Sequence, residues 1–340
     1  MQPHFWVAAE ARKAVPLGHE SCPLGGAPRL RPRLPGHAGR EAPRPNMTAP
    51  STANDIIERE LDDHLNALEM EIDADVITVR APILYGLDDA VRDAVESRNP
   101  KRSRLAVVLE TEGGYVVVAE RIAEMLRRQY PRVDYIVPNF AMSAGTVLVM
   151  SGDAIYMDYY AILGPIDPQL FRGGGLVPAL GYLVQFERLI KKSKQRKLTS
   201  AEIAFLVSKF DPAELYLYEQ ERELSISLLK AWLVKYKFKD WNLTRTRKRR
   251  VTPKMRKDRA EEIAKALNNT ERWHSHSRGI SMEVLDKELN LLIEDFGSKP
   301  DLNTKLKAYY RLLVDYMIRR GHTGVVHTRT HYAPFFAPEE

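Results

Sequence analysis

The chain has 340 residues, of which 44% are apolar, a formal net charge of +6 and a single cysteine, Cys22. This length can bury a real core in one large domain or two smaller ones. One cysteine excludes an intrachain disulfide and a multi-cysteine zinc site. No run approaches the roughly 18 apolar residues of a membrane-spanning helix, and the N-terminus lacks the apolar segment of a secretory signal. We therefore expect a cytoplasmic protein.

Residues 1–46 have the composition of a disordered tail. They hold eight of the 21 prolines and seven Arg or Lys residues against three Glu, without apolar periodicity. Such segments cannot bury enough apolar surface to offset the entropy lost on ordering. The composition changes at Met47, which leads to the hypothesis that translation starts there.

Residues 47–190 are predicted to form an α/β domain. From Asp75 onward, short apolar runs alternate with amphipathic segments of helical period. Repeated β-α-β units of this kind favour a mostly parallel sheet that is covered on both faces. The predicted strands are 76–79, 105–109, 133–137 and 154–157, and the predicted helices are 87–97, 117–128 and one that begins near Ala144.

Residues 191–330 are predicted to be a helical C-terminal region, and residues 331–340 a tail. The region contains several helix start signals, and its last predicted helix, 301–320, ends at Gly321. The start signals are the capping box of Thr199 with Glu202, Asp211-Pro212, Thr252-Pro253 and Ser281.

Three loops that follow predicted strands carry the residue types of a ligand or catalytic site. They are TEGG at 111–114, MSAGT at 142–146 and LGPIDPQ at 163–169. In a parallel sheet such loops gather at the carboxyl edge, where open α/β folds place their ligands. The first and third loops can equally be structural turns.

Ser143 lies between small residues where a strand is predicted to turn into a helix. A hydroxyl at a helix N-terminus is in a position that stabilises negative charge, and the next amide can donate to an oxyanion. The alternative interpretation is that Ser143 is only the N-cap of this helix.

In this order and at this spacing, the three loops resemble the serine dehydrogenase proteinase family, whose relatives are the Clp protease peptidase subunit and signal peptide peptidase A. The segment WHSHSRGI near Trp273 is similar to a later segment of that family. The resemblance implies a crotonase-like, Clp peptidase-like β-β-α superhelix with serine peptidase activity on peptide or unfolded protein. It implies no metal or nucleotide cofactor, and a homo-oligomer assembled through outer helices.

By the same resemblance, Ser143 is the nucleophile, and Gly113, Gly114 and the amide of Ala144 form the oxyanion hole. A serine hydroxyl also needs a positioned base, yet no His or Lys occurs between residues 105 and 190. Asp167 lies where the Clp peptidase pattern has a histidine.

The base must therefore come from elsewhere in the chain. Because the family is described as using Ser, His and Asp, His276 is one candidate, with Asp167 as the third member, and His274 is its neighbouring competitor. A Ser and Lys dyad is the other option. Its possible amines are Lys191, Lys192, Lys194 and Lys197.

Two other functions stay open at this stage. Crotonases use paired amides of this kind to hold thioester enolates of coenzyme A esters, and that chemistry needs an acid or base at position 143 rather than a nucleophile. A non-catalytic scaffold or nucleic-acid-binding protein would use the basic run 244–257, which has eight Arg or Lys residues. Without interleaved aromatic residues, this run is interpreted first as an exposed linker and only second as a nucleic-acid contact.

Overall fold

The computed structural model of the chain describes residues 52–166, 169–172, 175–273 and 278–336. The predicted tail 1–46 and the proposed start at Met47 lie outside these residues. The strands are β1 Asp75–Arg80, β2 Arg104–Glu110, β3 Arg132–Ile136, β4 Phe140–Ala141, β5 Ile155–Met157, β6 Ile162–Leu163, β7 Gln169–Arg172, β8 Gly175–Pro178, β9 Ile280–Ser281, β10 Glu294–Asp295, β11 Gly324–Thr328 and β12 His331–Phe335. The helices are α1 Ala53–Ile72, α2 Leu87–Glu96, α3 Val116–Gln129, α4 Ala144–Val149, α5 Ala179–Lys194, α6 Ser200–Lys209, α7 Pro212–Trp232, α8 Pro253–Leu267, α9 Thr270–Trp273, α10 Met282–Lys287 and α11 Pro300–Arg320, and a π-helical turn, Leu233–Lys237, continues α7.

Seven strands form one sheet in the order β10-β5-β3-β2-β1-β11-β12. The five strands from β10 to β1 run parallel, whereas β11 pairs antiparallel with both β1 and β12. The predicted α/β class with a mostly parallel sheet is confirmed. The carboxyl ends of β2, β3 and β5 therefore lie along one edge, which is the edge that carries the three loops.

The sheet is covered on both faces, and its side chains alternate between two apolar cores because successive residues of a strand point to opposite faces. On β2, Leu105, Val107 and Leu109 enter the larger core, which is built with α2, α3, α4, α7 and α8. Ala106 and Val108 enter the second core, which is covered by α1 and α11.

The helix start signals of the C-terminal half are found where they were predicted. Thr199 and Glu202 make a capping box for α6, Asp211 caps α7, and Thr252 caps α8. Gly321 ends α11 in the left-handed conformation at φ 68°, which glycine adopts without steric cost.

The C-terminal part of the chain differs from the prediction in that it also supplies strands to the main sheet. β10 lies at one edge, and β11 and β12 form the other. Residues 331–335 of the predicted tail are therefore the edge strand β12, which pairs along its length with β11. Among the helices of the described residues, none has the length and apolar character needed to cross a membrane.

Candidate active site

The first two loops are joined by backbone hydrogen bonds at the carboxyl edge of the sheet. The Thr111 amide donates to the Phe140 carbonyl (3.2 Å), and the Met142 amide donates to the Thr111 carbonyl (2.9 Å). The short strand β4 then pairs with β6, and β6 pairs with β9, which forms a second sheet of three strands. The residues around Ser143 are thus held between the loop after β2 and the loop after β5.

Thr146 fastens the second loop to the third. Its Oγ1 lies 2.8 Å from the carbonyl oxygens of both Ala141 and Gly164, and it accepts a hydrogen bond from the Gly164 amide at 3.1 Å. The side chain is fully buried. Because the loop at 163–166 is fixed in this way, the turn that carries Ser143 has support on both sides.

Ser143 occupies a strained turn between β4 and α4, with φ 50° and ψ −116°. A residue other than glycine in such a sparsely populated region costs on the order of 1–3 kcal/mol, and such residues cluster at active sites. Its side chain makes no capping hydrogen bond to α4. The N-cap interpretation therefore does not account for Ser143, whereas a sharp strand-to-helix turn that displays a serine has the geometry of a nucleophile elbow.

Glycines let the first loop approach Ser143 closely. A Cβ at Gly113 would lie 2.8 Å from the Met142 carbonyl oxygen and 2.9 Å from the Ser143 Cβ, while φ at Gly113 is +102°. A Cβ at Gly145 would overlap the Thr111 methyl group. Both contacts require the absence of a side chain, so these glycines fix the distance between the two loops.

The backbone amides around Ser143 are not equivalent. The Gly113 amide donates to the Thr111 Oγ1 at 3.1 Å. The two residues that flank Gly114 both pair with Ile83. The Ile83 amide donates to the Gly113 carbonyl (2.7 Å), and the Tyr115 amide donates to the Ile83 carbonyl (2.8 Å). Within the described part of the chain, no acceptor is found for the amides of Gly114 and Ala144, so these two are the available donors.

Replacing Gly114 with alanine is expected to lower the free energy of unfolding by about 2–4 kcal/mol, because its φ is +142° and a Cβ would overlap the Ile83 carbonyl. Urea-induced unfolding would measure this loss. Gly181→Ala is the matched control, since Gly181 lies in α5 with nothing within 4 Å of an added Cβ. Equal effects of the two substitutions would show that the close approach at Gly114 is not required.

A small cavity of about 60 Å³ opens beside Ser143. Ser143 itself is only 9% exposed, because α7 crosses over the site and forms one wall. The cavity is lined by Gly114, Tyr115, Val116, Val117, Ser143, Ala144, Val147, Ile166, Glu221, Leu224 and Ser225. The last three residues were not predicted, since nothing in the local sequence of α7 indicates which of its residues faces the sheet edge.

Another carboxylate, that of Glu110, lies directly before the first loop, at the end of β2. It is 3% exposed and accepts hydrogen bonds from Arg80 Nε (2.9 Å) and from the Tyr310 hydroxyl. Burial raises the pKa of Glu110, and the neighbouring Arg80 opposes that effect. These contacts hold the start of the first loop against α11.

The predicted residues Asp167, His274 and His276 lie outside the described residues. The described residues on either side of 274–277 nevertheless contact the third loop. The Ile166 amide donates to the Leu267 carbonyl (3.1 Å), and Asn268 Nδ2 donates to the Ile166 carbonyl (2.7 Å). Further along, Ile280 pairs with Leu163 in the small sheet.

The lysine cluster that could supply an amine is on the surface. Lys191, Lys192, Lys194 and Lys197 are all exposed, and none of them lines the cavity beside Ser143. Lys192 donates to Glu202 at 2.6 Å, and this hydrogen bond, together with those from the Thr199 amide and hydroxyl, lowers the pKa of Glu202 to about 2. Of the eight basic side chains of the run 244–257, seven are exposed and Arg256 is half-buried, and the run continues into α8 from Pro253.

Residues 87–208, which include the Ser143 turn and the loops on both sides of it, match the family of ClpP-like SDH-type serine proteinases. The match covers 122 residues, about a third of the chain. The resemblance predicted from the three loops is thereby confirmed, and it supports a serine peptidase at the level of the family. The ClpP-like segment holds strands β2 to β8 and the helices from α2 to α5.

Two curated relatives come from Methanocaldococcus jannaschii. The uncharacterized protein MJ0137 is 37% identical over 106 residues, which are 31% of this chain and 36% of the relative. The uncharacterized protein MJ1495 is 30% identical over 105 residues, which are 31% of this chain and 35% of the relative. The match thus spans about a third of the length of each relative.

Among solved structures, a mutant of the 1510-N membrane-bound stomatin-specific protease is similar to this chain. The superposition covers 42% of this chain and 74% of that protein, with 16% sequence identity and a TM-score of 0.28.

Proposed function

We propose that the ClpP-like segment is a serine peptidase in which Ser143 forms an acyl-enzyme with the substrate. The observation that carries this proposal is the strained backbone of Ser143 at a strand-to-helix turn, beside two amides that find no acceptor among the residues the structure describes. The match of residues 87–208 to a family of serine proteinases supports the same reaction class.

In this proposal, Ser143 Oγ attacks the carbonyl carbon of the peptide bond, and its proton passes to a general base. The resulting oxyanion accepts hydrogen bonds from the amides of Gly114 and Ala144, which lie in fixed backbone and need no rearrangement. Collapse of the tetrahedral intermediate breaks the C–N bond, and the base returns the proton to the leaving amine. Water, activated by the same base, then hydrolyses the acyl-enzyme and regenerates Ser143.

We assign the general base to His276 and the residue that orients it to Asp167. The contacts of the described neighbours support this assignment, since residues 267–268 and 280–281 pair with the loop that ends at Ile166. Gly164 in that loop donates to Ala141, two residues before Ser143. The lysine alternative has less support, because the four lysines are exposed and away from the cavity.

The assignment of the base predicts that His276→Ala lowers kcat by about 10³-fold or more, while His274→Ala has an effect below about threefold. Hydrolysis of a fluorogenic peptide would measure both. If His274→Ala lowers kcat more than His276→Ala does, His274 is the base. Full activity in both variants would exclude a histidine of this segment as the base and favour Lys191 or one of its neighbouring lysines.

We further propose that the protein works in the cytoplasm as a homo-oligomer on peptides or unfolded chains. The single cysteine fits a reducing compartment. Exposed apolar side chains on α6, namely Ile203, Phe205 and Val207, fit association between copies. Sedimentation velocity of the purified full chain would test the oligomer, because a monomer at micromolar concentration would exclude it.

A further inference from the structure

The cavity beside Ser143 has a largely apolar wall and one carboxylate. Val116, Val117 and Val147 line one side, and Leu224 lines the other. Glu221 is the one acidic residue among the lining residues, and it lies on α7, one turn before Ser225.

Within the described residues, the Glu221 side chain has no ion-pair or hydrogen-bond partner. Ser225 Oγ donates to the backbone carbonyl of Glu221 (2.9 Å) and so does not satisfy the carboxylate. The next residue, Arg222, is directed elsewhere, toward Glu187 and Glu223 at 3.7 Å each. Burial raises the pKa of Glu221.

A partly buried carboxylate without a partner is unfavourable for the free protein, and a cation placed beside it removes that cost. The space available fits such a ligand. A cavity of about 60 Å³ holds roughly four to six water-sized atoms. A lysine side chain consists of a four-carbon stem and a terminal ammonium, and its stem would lie against the valines and Leu224 while the ammonium reaches Glu221.

We propose that this cavity binds a basic side chain of the peptide substrate, lysine in particular, and that Glu221 determines this specificity. The proposal rests on the proposed function, because it requires that the bond to be cleaved is held at Ser143. A charged hydrogen bond between substrate and enzyme favours the correct side chain by about 10- to 100-fold over an uncharged analogue of the same shape.

The test compares fluorogenic peptides that differ only at the residue before the cleaved bond, which is lysine, norleucine or glutamate. For the wild-type full chain we expect kcat/KM for lysine to exceed that for norleucine by at least about tenfold. Glu221→Gln should bring this ratio close to one, Glu221→Asp should retain a preference for lysine, and Glu221→Lys should favour the glutamate peptide. Glu223→Gln is the matched control, since Glu223 is exposed on the same helix and should leave the ratio as in the wild type.

Equal cleavage of the lysine and norleucine peptides by the wild type, or an unchanged ratio in Glu221→Gln, would overturn the assignment of Glu221. Labelling of the wild type with a fluorophosphonate separates this failure from that of the proposed function. If Ser143 is labelled and no preference for lysine is found, the specificity proposal alone is wrong. If Ser143 is not labelled and no peptide is cleaved, the proposed function is wrong and the specificity proposal with it.

Discussion

Replacing Ser143 with alanine is expected to lower kcat for peptide hydrolysis by a factor on the order of 10³ to 10⁶. The hydroxyl is the atom that forms the acyl-enzyme in the proposed reaction, and no other described residue takes its place in the strained turn. Alanine accepts the same backbone with the same steric cost, so the thermal unfolding midpoint should change by less than about 4 °C. Initial rates on a fluorogenic peptide, together with an unfolding curve, would measure both effects.

Ser193→Ala provides the control, because Ser193 is an exposed serine on α5, away from the cavity. Its kcat should equal that of the wild type. If Ser143→Ala retains more than about a tenth of the activity, another residue is the nucleophile and the role proposed for the turn is wrong.

Replacing Arg98 with alanine is expected to lower the free energy of unfolding by about 3–5 kcal/mol. Arg98 connects two fully buried carboxylates, with Nη1 at 2.6 Å from Glu69 Oε1 and Nε at 2.9 Å from Asp75 Oδ1. The substitution leaves both carboxylates without their main counter-charge in the interior. Chemical denaturation at pH 7 would measure the loss.

Arg92→Ala is the comparison for this prediction. Arg92 also pairs with aspartates, Asp89 at 3.1 Å and Asp93 at 3.4 Å, but all three side chains are exposed. Exposed pairs contribute about 0–1 kcal/mol, so the free energy of unfolding should change little. If the two arginine variants lose the same amount, burial does not decide the strength of these pairs.

The elements of the first half of the sheet could be predicted because their signal is local. The apolar run at 105–109 lies within β2, and the run at 133–137 extends one residue beyond β3. The helix between them, α3, follows the helical period. Helix α1 was not predicted, although its signal is present. Thr52 and Asp55 form a capping box, and Leu61, Leu65 and Leu68 recur at helical spacing.

The pairing of β11 with β1 could not be predicted from local sequence. It places Val326 opposite Val79, residues that are far apart in the chain. A short apolar run followed by a proline-containing segment is typical of an edge strand or of no strand at all. The local sequence of 331–340 therefore did not distinguish a tail from an edge strand. The pairing is decided by α11, which returns the chain to the same face of the sheet as α1.

For the site, the three loops and their family resemblance predicted Ser143 and the glycines, and the structure places Gly113 against the Ser143 turn. The sequence pattern could not distinguish the donor amides, since the Gly113 amide is occupied by the side chain of Thr111. It could not find Glu221 either. That residue reaches the cavity through the packing of α7 on α3 and α4, which is a tertiary property.

The role of Ser143 as the nucleophile is tested by the intact mass of the wild type and of Ser143→Ala after incubation with a fluorophosphonate, followed by peptide mapping. We expect one adduct on the wild type, located on Ser143, and no adduct on the variant. A wild type without an adduct, or an adduct that persists in Ser143→Ala, would contradict the assignment of Ser143 as the nucleophile.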